Sequence, residues 1–494
     1  MRGCIFFNRS YIRWQHAMVL DLRSRFGVSN WCGYLYGKKA LDFINDQEDI
    51  KYDQIIVDDF LAIEAKDEVV DKDYLASSEK KYGHPYFWQE FYSDRHMSIN
   101  WPRQFYPKFS PIFNHYQIKQ QLQIRIKKIE KMLMECKPDF VIFTDAGAMG
   151  VNLLYHVARG LGIKTLVLGV TRPSDKAGIT ESLFGVFTGT DRLFKKIRAG
   201  EHSSPFRNEA IAWINNFRNK PTKPYYVRPS EVWNTLSQGR WRKFSLFMKN
   251  FINKTFGWFD NSFPKVFSYS PIDFLRHNFL LWTSKYRLPK FDAPDYNENY
   301  VFFPLQFEPE LTLLMYAPYF MDQLWMSMAI AQSLPINFKL YVKEHPTMTG
   351  YRDPNFYRQL KKIPNVRLIK TETDSIEIIK NAKLTTIITG TPGWESVLLK
   401  KPVITFGSIY YNSLSMVKNC QNISELPLLI KQLLENHVHK EDELIDFASA
   451  LMEDSFSINF TEMQAERDMA KLLNNRDIRL ISDRIIKHIK SPEL

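Results

Sequence analysis

Polar side chains follow an apolar run in the second half of the 494-residue chain, at the point where a buried strand is predicted to end. The run "LYVKEHP" places Lys343 and His345 together and is closed by Pro346. An ammonium group and an imidazole N–H are both donors suited to phosphate oxygens. The pair therefore indicates an anion-binding function, and the alternative is an ordinary surface histidine at the end of a strand.

A second apolar run ends in "TGTPGWE", residues 389–395. Glycines allow a ligand to approach the backbone closely, and Thr391 is predicted as a helix N-cap with Pro392 in the first turn. A helix N-terminus binds phosphate, and a carboxylate can accept hydrogen bonds from a ribose diol. A capped turn without a ligand is the alternative. The residues assigned to a nucleotide are Lys343, His345, Thr389, Thr391, Gly393 and Glu395.

Three carboxylates are candidates for acid–base or nucleophilic chemistry. Asp145, in "FTDAGAMG", follows a predicted strand, and a helix N-cap is its structural alternative. Glu308 and Glu310, in "PLQFEPELT", can aim at one ligand if the segment is extended, and a solvated acidic loop is the alternative. Gln306 and Arg172 also follow strands and are assigned to substrate binding, since a guanidinium suits phosphate or carboxylate.

The elements that must position these side chains alternate between apolar strands and amphipathic helices. "RGCIFFN" is followed by a helix, and a long helix at residues 117–137 precedes "DFVIF" and "TLVLGV". From Asn299 the alternation returns, with a helix predicted from Ala317 to Ser333. This pattern predicts an α/β fold with two Rossmann-like doubly wound domains, and an irregular, mostly helical insertion between them. Ligands of such sheets bind beyond the carboxyl ends of the strands.

The stretch from Arg240 to Lys290 contains ten Lys or Arg and two Asp, a net charge of +8 interleaved with Phe and Trp. Such a composition suits an element that lies on anionic lipid, and the alternative is an insertion whose aromatic residues are core. The whole chain carries +12. We see no zinc-finger or RNA-binding motif, so nucleic acid is the least supported partner.

Composition also bounds the location and the cofactors. We find no run of 18 apolar residues and no apolar core of a signal peptide at the N-terminus. The four cysteines are scattered, which favours a reduced compartment and argues against zinc. We therefore expect a cytoplasmic protein, with a peripheral position at the inner face of the membrane as an option. No metal and no separate cofactor are expected.

The stretch from Tyr300 to Asn412 resembles the C-terminal half of the bacterial capsule polysaccharide biosynthesis family, which includes the retaining β-Kdo transferases and is similar to GT-B glycosyltransferases. The shared features are His345-Pro346, the turn at 389–395 and "KPVITFG" at 401–407. The resemblance implies a nucleotide-sugar donor held by His345, Thr391 and Glu395, and a glycan or glycolipid acceptor. The turn reads Thr-Gly-Thr-Pro where the Kdo enzymes usually carry Ser-Thr, so the resemblance does not name the donor.

The predicted organisation follows from the pattern and the resemblance together: an acceptor domain (1–190), a basic aromatic insertion (191–298), a donor domain (299–460) and C-terminal helices that pack back toward the first domain (461–494). The predicted function is transfer of a sugar to a bacterial capsule or lipopolysaccharide O-antigen. Alternatives are a nonhydrolysing sugar-nucleotide epimerase, which the long insertion fits poorly, a CDP-polyol phosphotransferase of the teichoic-acid type, and a glycan-binding scaffold.

Overall fold

The computed structural model describes residues 1–101, 106, 108–171, 176–221, 240–259, 264 and 270–490, without the side chains of 240–243, 253, 254, 256, 257 and 285. These residues build one mainly parallel sheet and one fully parallel sheet, each covered by helices on both faces. The predicted α/β class with two Rossmann-like domains and a mostly helical insertion is confirmed.

The first sheet has the order β3-β2-β1-β4-β5-β6-β13. Its first five strands are parallel, whereas β6 pairs antiparallel with β5 and with β13. Strand β13 reaches this sheet from beyond the second domain. The strands are β1 (Arg2–Phe7), β2 (Asn30–Leu35), β3 (Gln54–Val57), β4 (Phe140–Phe143), β5 (Lys164–Thr171), β6 (Lys176–Thr180) and β13 (Ser455–Ser457).

The second sheet is parallel throughout and has the order β9-β8-β7-β10-β11-β12. This is the doubly wound order, in which the chain starts at the centre, winds outward to one edge, and then returns to wind toward the other. The strands are short and buried on both faces. They are β7 (Tyr300–Pro304), β8 (Lys339–Lys343), β9 (Val366–Ile369), β10 (Leu384–Ile387), β11 (Val403–Thr405) and β12 (Val417–Asn419).

Eight helices accompany the first sheet within the described residues. Helix α7, the longest, begins with a capping box between Asn114 and Gln117 and buries one face against the sheet. The helices are α1 (Ile12–Phe26), α2 (Lys38–Asn45), α3 (Asp58–Glu64), α4 (Lys72–Tyr82), α5 (Trp88–Ser93), α6 (Arg95–Ser98), α7 (His115–Cys136) and α8 (Met149–Gly160).

The segment between the sheets is helical where it is described. Helices α9 (Thr188–Arg198) and α10 (Arg207–Asn219) pack with α19 (Glu441–Asp454) over one side of the second domain. Helices α11 (Arg240–Phe259) and α12 (Pro271–Ser284) pair through Phe247, Phe251 and Phe274.

The helices of the second domain include one correction. The helix predicted from Ala317 to Ser333 begins only at Gln323, because Pro318–Phe320 forms a 3-10 turn and Asp322 caps the helix by accepting two backbone N–H bonds. The helices are α13 (Leu311–Leu314), α14 (Gln323–Gln332), α15 (Pro354–Leu360), α16 (Ser375–Asn381), α17 (Thr391–Leu398) and α18 (Leu426–Asn436).

The C-terminal segment returns to the first domain. After β13 it forms α20 (Phe460–Ala465), α21 (Met469–Leu473) and α22 (Arg476–Lys490), and these helices pack against α1. Helix α22 buries an isoleucine face in that core. The buried isoleucines are Ile478, Ile481, Ile485 and Ile486.

Candidate active site in the interdomain cleft

Each sheet has a point where the strand order reverses, between β1 and β4 in the first domain and between β7 and β10 in the second. The carboxyl ends of these central strands are the expected ligand sites of doubly wound sheets. The residues that follow them are Asn8 and Asp145 in the first domain, and Gln306 and Thr389 in the second. Most of the candidate residues predicted from the sequence therefore lie near one of these two reversals of strand order.

In the second domain the two strand ends are held together by an amide. The Gln306 side chain donates to the carbonyl oxygen of Thr389, and the Thr389 hydroxyl donates to Gln306 Oε1 at 2.9 Å. The backbone of Gln306 is in turn bound by the side chain of Gln323, with Gln306 N 2.6 Å from Gln323 Oε1. The geometry favours a positioning role for Gln306 and Thr389, and their assignment as ligands stays a prediction.

Glu308 lies in a buried ion-pair network that the sequence did not indicate. Arg352 donates to Glu308 Oε2 at 2.6 Å and to Glu344 Oε2 at 2.7 Å. Gln323 also donates to Glu308, and Tyr357 donates to Glu344 at 2.8 Å. Both carboxylates thus fix the loops after β7 and β8, and the assignment of Glu308 as a catalytic residue stays a prediction.

Helix α17 begins at the end of β10 and presents its N-terminus to the cleft. Its N-cap is Gly390, at φ 105°, so the prediction that Thr391 is the N-cap was wrong; Thr391 is the first helical residue. A Cβ on Gly393 would lie 2.2 Å from the Tyr411 hydroxyl, which donates to the carbonyl oxygen of Gly390 at 2.8 Å. Gly390 is needed for the turn, and Gly393 for the close packing that fixes the helix start.

Two further predicted nucleotide ligands belong to this region. Glu395 is buried on α17, and burial together with the nearby Glu395 raises the pKa of Tyr411. Lys343 is also buried, at the last position of β8. Their assignments stay predictions.

His345 follows β8 and has a defined orientation. Its Nδ1 lies 2.7 Å from the Thr347 hydroxyl and also accepts the backbone N–H of Thr347. An Nδ1 that accepts a hydrogen bond leaves the proton on Nε2, which is then the donor for a ligand. Burial lowers the pKa of His345; the nearby Glu344 carboxylate partly offsets this, while Lys343 and Arg352 add smaller lowering contributions. The ring is therefore neutral at pH 7 and donates through Nε2.

In the first domain Asp145 is oriented by the end of β1. Asn8 donates to Asp145 Oδ2 at 2.8 Å, and Ala146 N donates to Oδ1 at 2.8 Å. Gln15 fixes both strand ends, because it bonds Asn8 N at 2.9 Å and the Thr144 hydroxyl at 2.7 Å. Asp145 does not cap the following helix: the N–H of Met149 is bound by Asp94 at 2.9 Å. The structural alternative for Asp145 is thereby removed.

Asp145 and Glu310 come from opposite domains and share two neighbours, Arg95 and Tyr316. Leu311 of α13 lies against Gly147, where an added Cβ would be 2.6 Å from Leu311 Cδ1. Burial raises the pKa of Asp145 and of Glu310, and the cationic Arg95 partly offsets this at both. Tyr316 is close enough to the two carboxylates that they add to the effect of burial in raising its pKa. The side chain of Asp145 reaches solvent, yet the surrounding protein limits its hydration.

Arg95 is the functional candidate that sequence reasoning missed. Arg95 is exposed at the start of the short helix α6, which does not follow a strand of the sheet. Its positive charge acts on the carboxylates of both Asp145 and Glu310. Arg172, the predicted substrate ligand, lies outside the described residues. His16 is fully buried, lies 2.9 Å from the Tyr52 hydroxyl, and has a pKa lowered to about 4 by burial. That environment fits the structural role expected for it.

In the part of the chain that the structure describes, no group of three or more His, Cys, Asp or Glu side chains is arranged to hold a metal ion. Asp71 and Asp73 have an Asp-x-Asp spacing. Asp71 instead caps α4 by accepting the N–H groups of Asp73 and Tyr74, at 3.0 and 2.9 Å.

Comparison with protein families supports the resemblance that the motifs suggested. Residues 286–423 match the family model described as capsule polysaccharide biosynthesis protein. The match spans β7 to β12 and includes His345, the α17 turn and Glu308. The resemblance to this family is thus confirmed over that part of the chain. No match was found among curated proteins.

Solved structures with detectable likeness include two kinds of enzyme. Two are described as Thermosulfurimonas dismutans KpsC, β-Kdo 2,7 transferase and β-Kdo 2,4 transferase. The first has 12% identity and a TM-score of 0.36, covering 76% of this chain and 98% of its own. The second has 12% identity and a TM-score of 0.34, covering 63% and 79%. A UDP-GlcNAc 2-epimerase from Neisseria meningitidis has 11% identity and a TM-score of 0.22, covering 99% and 100%. Because these scores lie below 0.5, we base no inference on them.

Proposed function

We propose that the protein is a glycosyltransferase that moves a sugar from a nucleotide-sugar donor to a growing bacterial surface polysaccharide. One observation carries the proposal: an oriented carboxylate that caps no helix, Asp145, stands at the switch point of the first sheet, and it shares the neighbours Arg95 and Tyr316 with Glu310 of the second domain. The family match over residues 286–423 supplies the biological setting.

The second domain is proposed to hold the nucleotide. Nε2–H of His345 and the N-terminus of α17, with its positive dipole end, suit phosphate oxygens. Glu395 would accept hydrogen bonds from the ribose, while Lys343, Thr391 and Gly393 complete the pocket. Gln306 and Thr389 position the two strand ends by their mutual hydrogen bonds.

The cleft between the domains is proposed to carry the chemistry. The bond between the anomeric carbon and the phosphate oxygen breaks, and the electron pair leaves with the nucleotide. The acceptor hydroxyl forms the new bond to that carbon and gives its proton to a carboxylate, for which Asp145 is the first candidate and Glu310 the second. If the transfer is retaining, one carboxylate first attacks the anomeric carbon as the phosphate leaves; the acceptor hydroxyl then displaces that carboxylate and gives its proton to the other one. Arg95 would balance negative charge on the phosphate or on an acidic sugar.

A pKa raised by burial suits a general base, because a base with a higher pKa takes up the proton more readily. Asn8 and Ala146 hold the carboxyl of Asp145 in one orientation. Glu310 accepts a hydrogen bond from Thr312 at 3.0 Å and remains at the same cleft. We propose that the acceptor at this site is a glycan or a glycolipid. We also propose that the protein lies peripherally on a membrane.

A nucleotide screen tests the proposal directly. CMP, UDP, GDP and CDP are added to the full chain, and the unfolding midpoint is measured at rising ligand concentration. A bound nucleotide at about 100 times its dissociation constant stabilises the native state by roughly 2.7 kcal/mol. We expect one nucleotide to stabilise the wild type and to lose its effect in His345→Ala. No stabilisation by any of the four would overturn the assignment.

The sugar form of the nucleotide identified in that screen separates the enzyme classes. A glycosyltransferase releases free nucleotide only when an acceptor is present, whereas an epimerase interconverts the nucleotide sugar without an acceptor. Glycan fragments of bacterial capsules serve as acceptors, and product is followed by mass spectrometry. Epimerisation without any acceptor would replace the proposed function with the epimerase alternative.

A further inference from the structure

Helices α11 and α12 expose apolar side chains in continuous stripes. On α12 the exposed residues follow helical spacing of three or four, so they lie on one face. Ile272 is 76% exposed, Trp282 60% and Tyr286, just beyond the helix, 78%. The stripe of α12 is Ile272, Leu275, Phe279, Trp282 and Tyr286, and that of α11 is Phe244, Met248, Ile252 and Phe259.

The opposite side of α12 is already used. Phe274 and Ser284 are buried, Phe274 against the aromatic rings of α11. A Cβ on Gly350 would lie 2.9 Å from Ser284 Oγ, and the His277 ring contacts Tyr351. The helix therefore makes its core contacts through its inner face, and the exposed stripe is a separate, outer face. Its aromatic rings instead contact one another: Phe279 and Trp282, then Trp282 and Tyr286.

Positive charge accompanies this apolar face. The sequence from Arg240 to Lys290 has net charge +8, and Lys249, Arg276 and Lys290 are exposed in the described part. Contiguous exposed apolar surface on this scale marks an interaction site rather than ordinary solvent-facing surface. Basic residues around exposed Trp, Tyr and Phe are complementary to a membrane whose headgroups are anionic and whose interfacial zone accommodates aromatic rings.

We propose that the α11–α12 pair is a monotopic docking surface that lies on an anionic lipid bilayer, with the two stripes in the interfacial zone. In the described part of the chain, no helix has the length and apolar character needed to cross a bilayer. Contact in the plane of the membrane is the mode that a one-sided stripe permits. The surface consists of the two stripes alone, and the exposed basic side chains of Lys249, Arg276 and Lys290 meet the headgroups.

The docking surface adjoins the loop that carries His345. Ser284 and His277 of α12 pack on Gly350 and Tyr351, a few residues beyond His345 in the same loop. Arg287, just beyond α12, donates to the Tyr106 hydroxyl of the first domain at 2.9 Å. A bilayer held by α11 and α12 is thus next to the rim of the cleft. A lipid-linked acceptor would enter from that side, and this last step rests on the proposed function.

Vesicle sedimentation of the full chain tests the surface. The protein is mixed with vesicles of phosphatidylcholine alone, or of phosphatidylcholine with an equal amount of phosphatidylglycerol, at low and high salt. We expect binding to the anionic vesicles that weakens with salt. Replacing Leu275, Phe279 and Trp282 by Ser should lower the partition coefficient by at least about tenfold, because the apolar contact is lost.

The matched control replaces three exposed apolar residues elsewhere by Ser: Ile336, Leu428 and Val438. It should bind vesicles like the wild type. A second variant tests the electrostatic contribution without changing apolar residues, and it combines Lys249→Gln, Arg276→Gln and Lys290→Gln. Its binding to anionic vesicles at low salt should be roughly a hundredfold weaker, because each basic residue contributes separately. Far-UV circular dichroism and nucleotide-induced stabilisation check that each variant is folded.

Two results would overturn the docking proposal. One is absence of binding to anionic vesicles at low salt. The other is a concentration-dependent dimer, seen by sedimentation velocity, that the Leu275, Phe279 and Trp282 variant converts to monomer without any vesicle binding by the wild type; the stripes would then be an interface between copies of the chain. Neither result affects nucleotide binding, so failure here is distinguishable from failure of the proposed glycosyltransferase function.

Discussion

At the scale of single residues, two neighbours set the orientation of the His345 ring. Thr347 occupies Nδ1, so the ring turns Nε2 outward, and Pro346 begins the turn that makes this contact possible. The exposed donor then requires no rearrangement on binding. Pre-orientation of this kind lowers the entropic cost of holding a phosphate.

His345→Ala should weaken nucleotide binding by about tenfold or more, since a hydrogen bond to a charged group contributes about 1.5–3 kcal/mol. Isothermal titration calorimetry with the nucleotide found in the screen measures the effect. His202→Ala is the control, because His202 pairs with Glu453 far along the chain from the cleft residues. Equal affinities for wild type and His345→Ala would remove His345 from the site.

Asp145→Asn should lower turnover by at least about a hundredfold while nucleotide affinity is kept, because the amide cannot accept the acceptor's proton. The comparison needs kcat and the dissociation constant for each protein. Asp139→Asn, at the opposite end of β4, is the matched control. Normal turnover in Asp145→Asn would shift the assignment to Glu310.

The raised pKa of Asp145 also gives a pH dependence. Burial disfavours the ionised form in the native state, so this carboxyl costs stability above its native pKa and costs nothing below the unfolded value near 3.9. Asp145→Asn should therefore unfold at an equal or higher temperature than wild type at pH 7, with the difference vanishing in acid. For the wild type, kcat/KM should fall as pH decreases through the native pKa. Stability that drops in Asp145→Asn at pH 7 would contradict the cause given.

The sequence predicted which residues stand at the strand ends but could not predict their partners. His345 and Asp145 were identified because each directly follows an apolar run. Arg95 was not, because tertiary folding alone brings α6 to the cleft. Glu308 lies in the predicted loop, yet its partner Arg352 follows a different strand, and the pairing depends on the sheet order rather than on local spacing.

At the scale of elements, α17 depends on Gly393. The helix packs so closely on Tyr411 and Ile387 that a side chain has no room, with the Ile387 Cγ2 only 2.9 Å from an ideal Cβ. Gly393→Ala should push the helix start away from β10, costing about 1–3 kcal/mol by overpacking and weakening nucleotide binding. Thermal unfolding and nucleotide titration are the two measurements.

A rescue variant checks the stated cause. Gly393→Ala combined with Tyr411→Phe removes the hydroxyl that the new methyl group would meet, so part of the stability should return. Tyr411→Phe alone should cost about 1 kcal/mol, since it removes the bond to Gly390 O. If the double variant is as unstable as the sum of both changes, the clash with the hydroxyl is not the reason.

Strand prediction succeeded where an element could be recognised from its own residues. β7, β8, β10 and β11 are short apolar runs bounded by polar turns, and they were predicted. β13 is only "SFS", and it becomes a strand through pairing with β6 across most of the chain. Such an edge strand has no local signature, so sequence patterns could not reveal it.

At the scale of the whole molecule, the two domains share one structural feature. In each, an amide side chain joins the two central strand ends: Asn8 to Asp145 in the first, Gln306 to Thr389 in the second. The first leaves a carboxylate at the cleft, and the second leaves a helix N-terminus there. Under the proposed function, chemistry belongs to the first domain and nucleotide binding to the second, and the C-terminal segment runs from the second domain back to the first.

Because the C-terminal helices pack on the first domain, a mutation in those helices should affect the two domains unequally. Ile485 on α22 is buried in the core of the first domain, and Ile485→Ala should cost about 2–5 kcal/mol of that domain's stability. The nucleotide site lies in the second domain and should bind normally at low temperature. Turnover, which needs Asp145, should be lost at a lower temperature than in wild type. Lys487→Ala, exposed on the same helix, is the control. Nucleotide binding and turnover are measured over one temperature series, and a parallel loss of both would show that the domains unfold as a single unit.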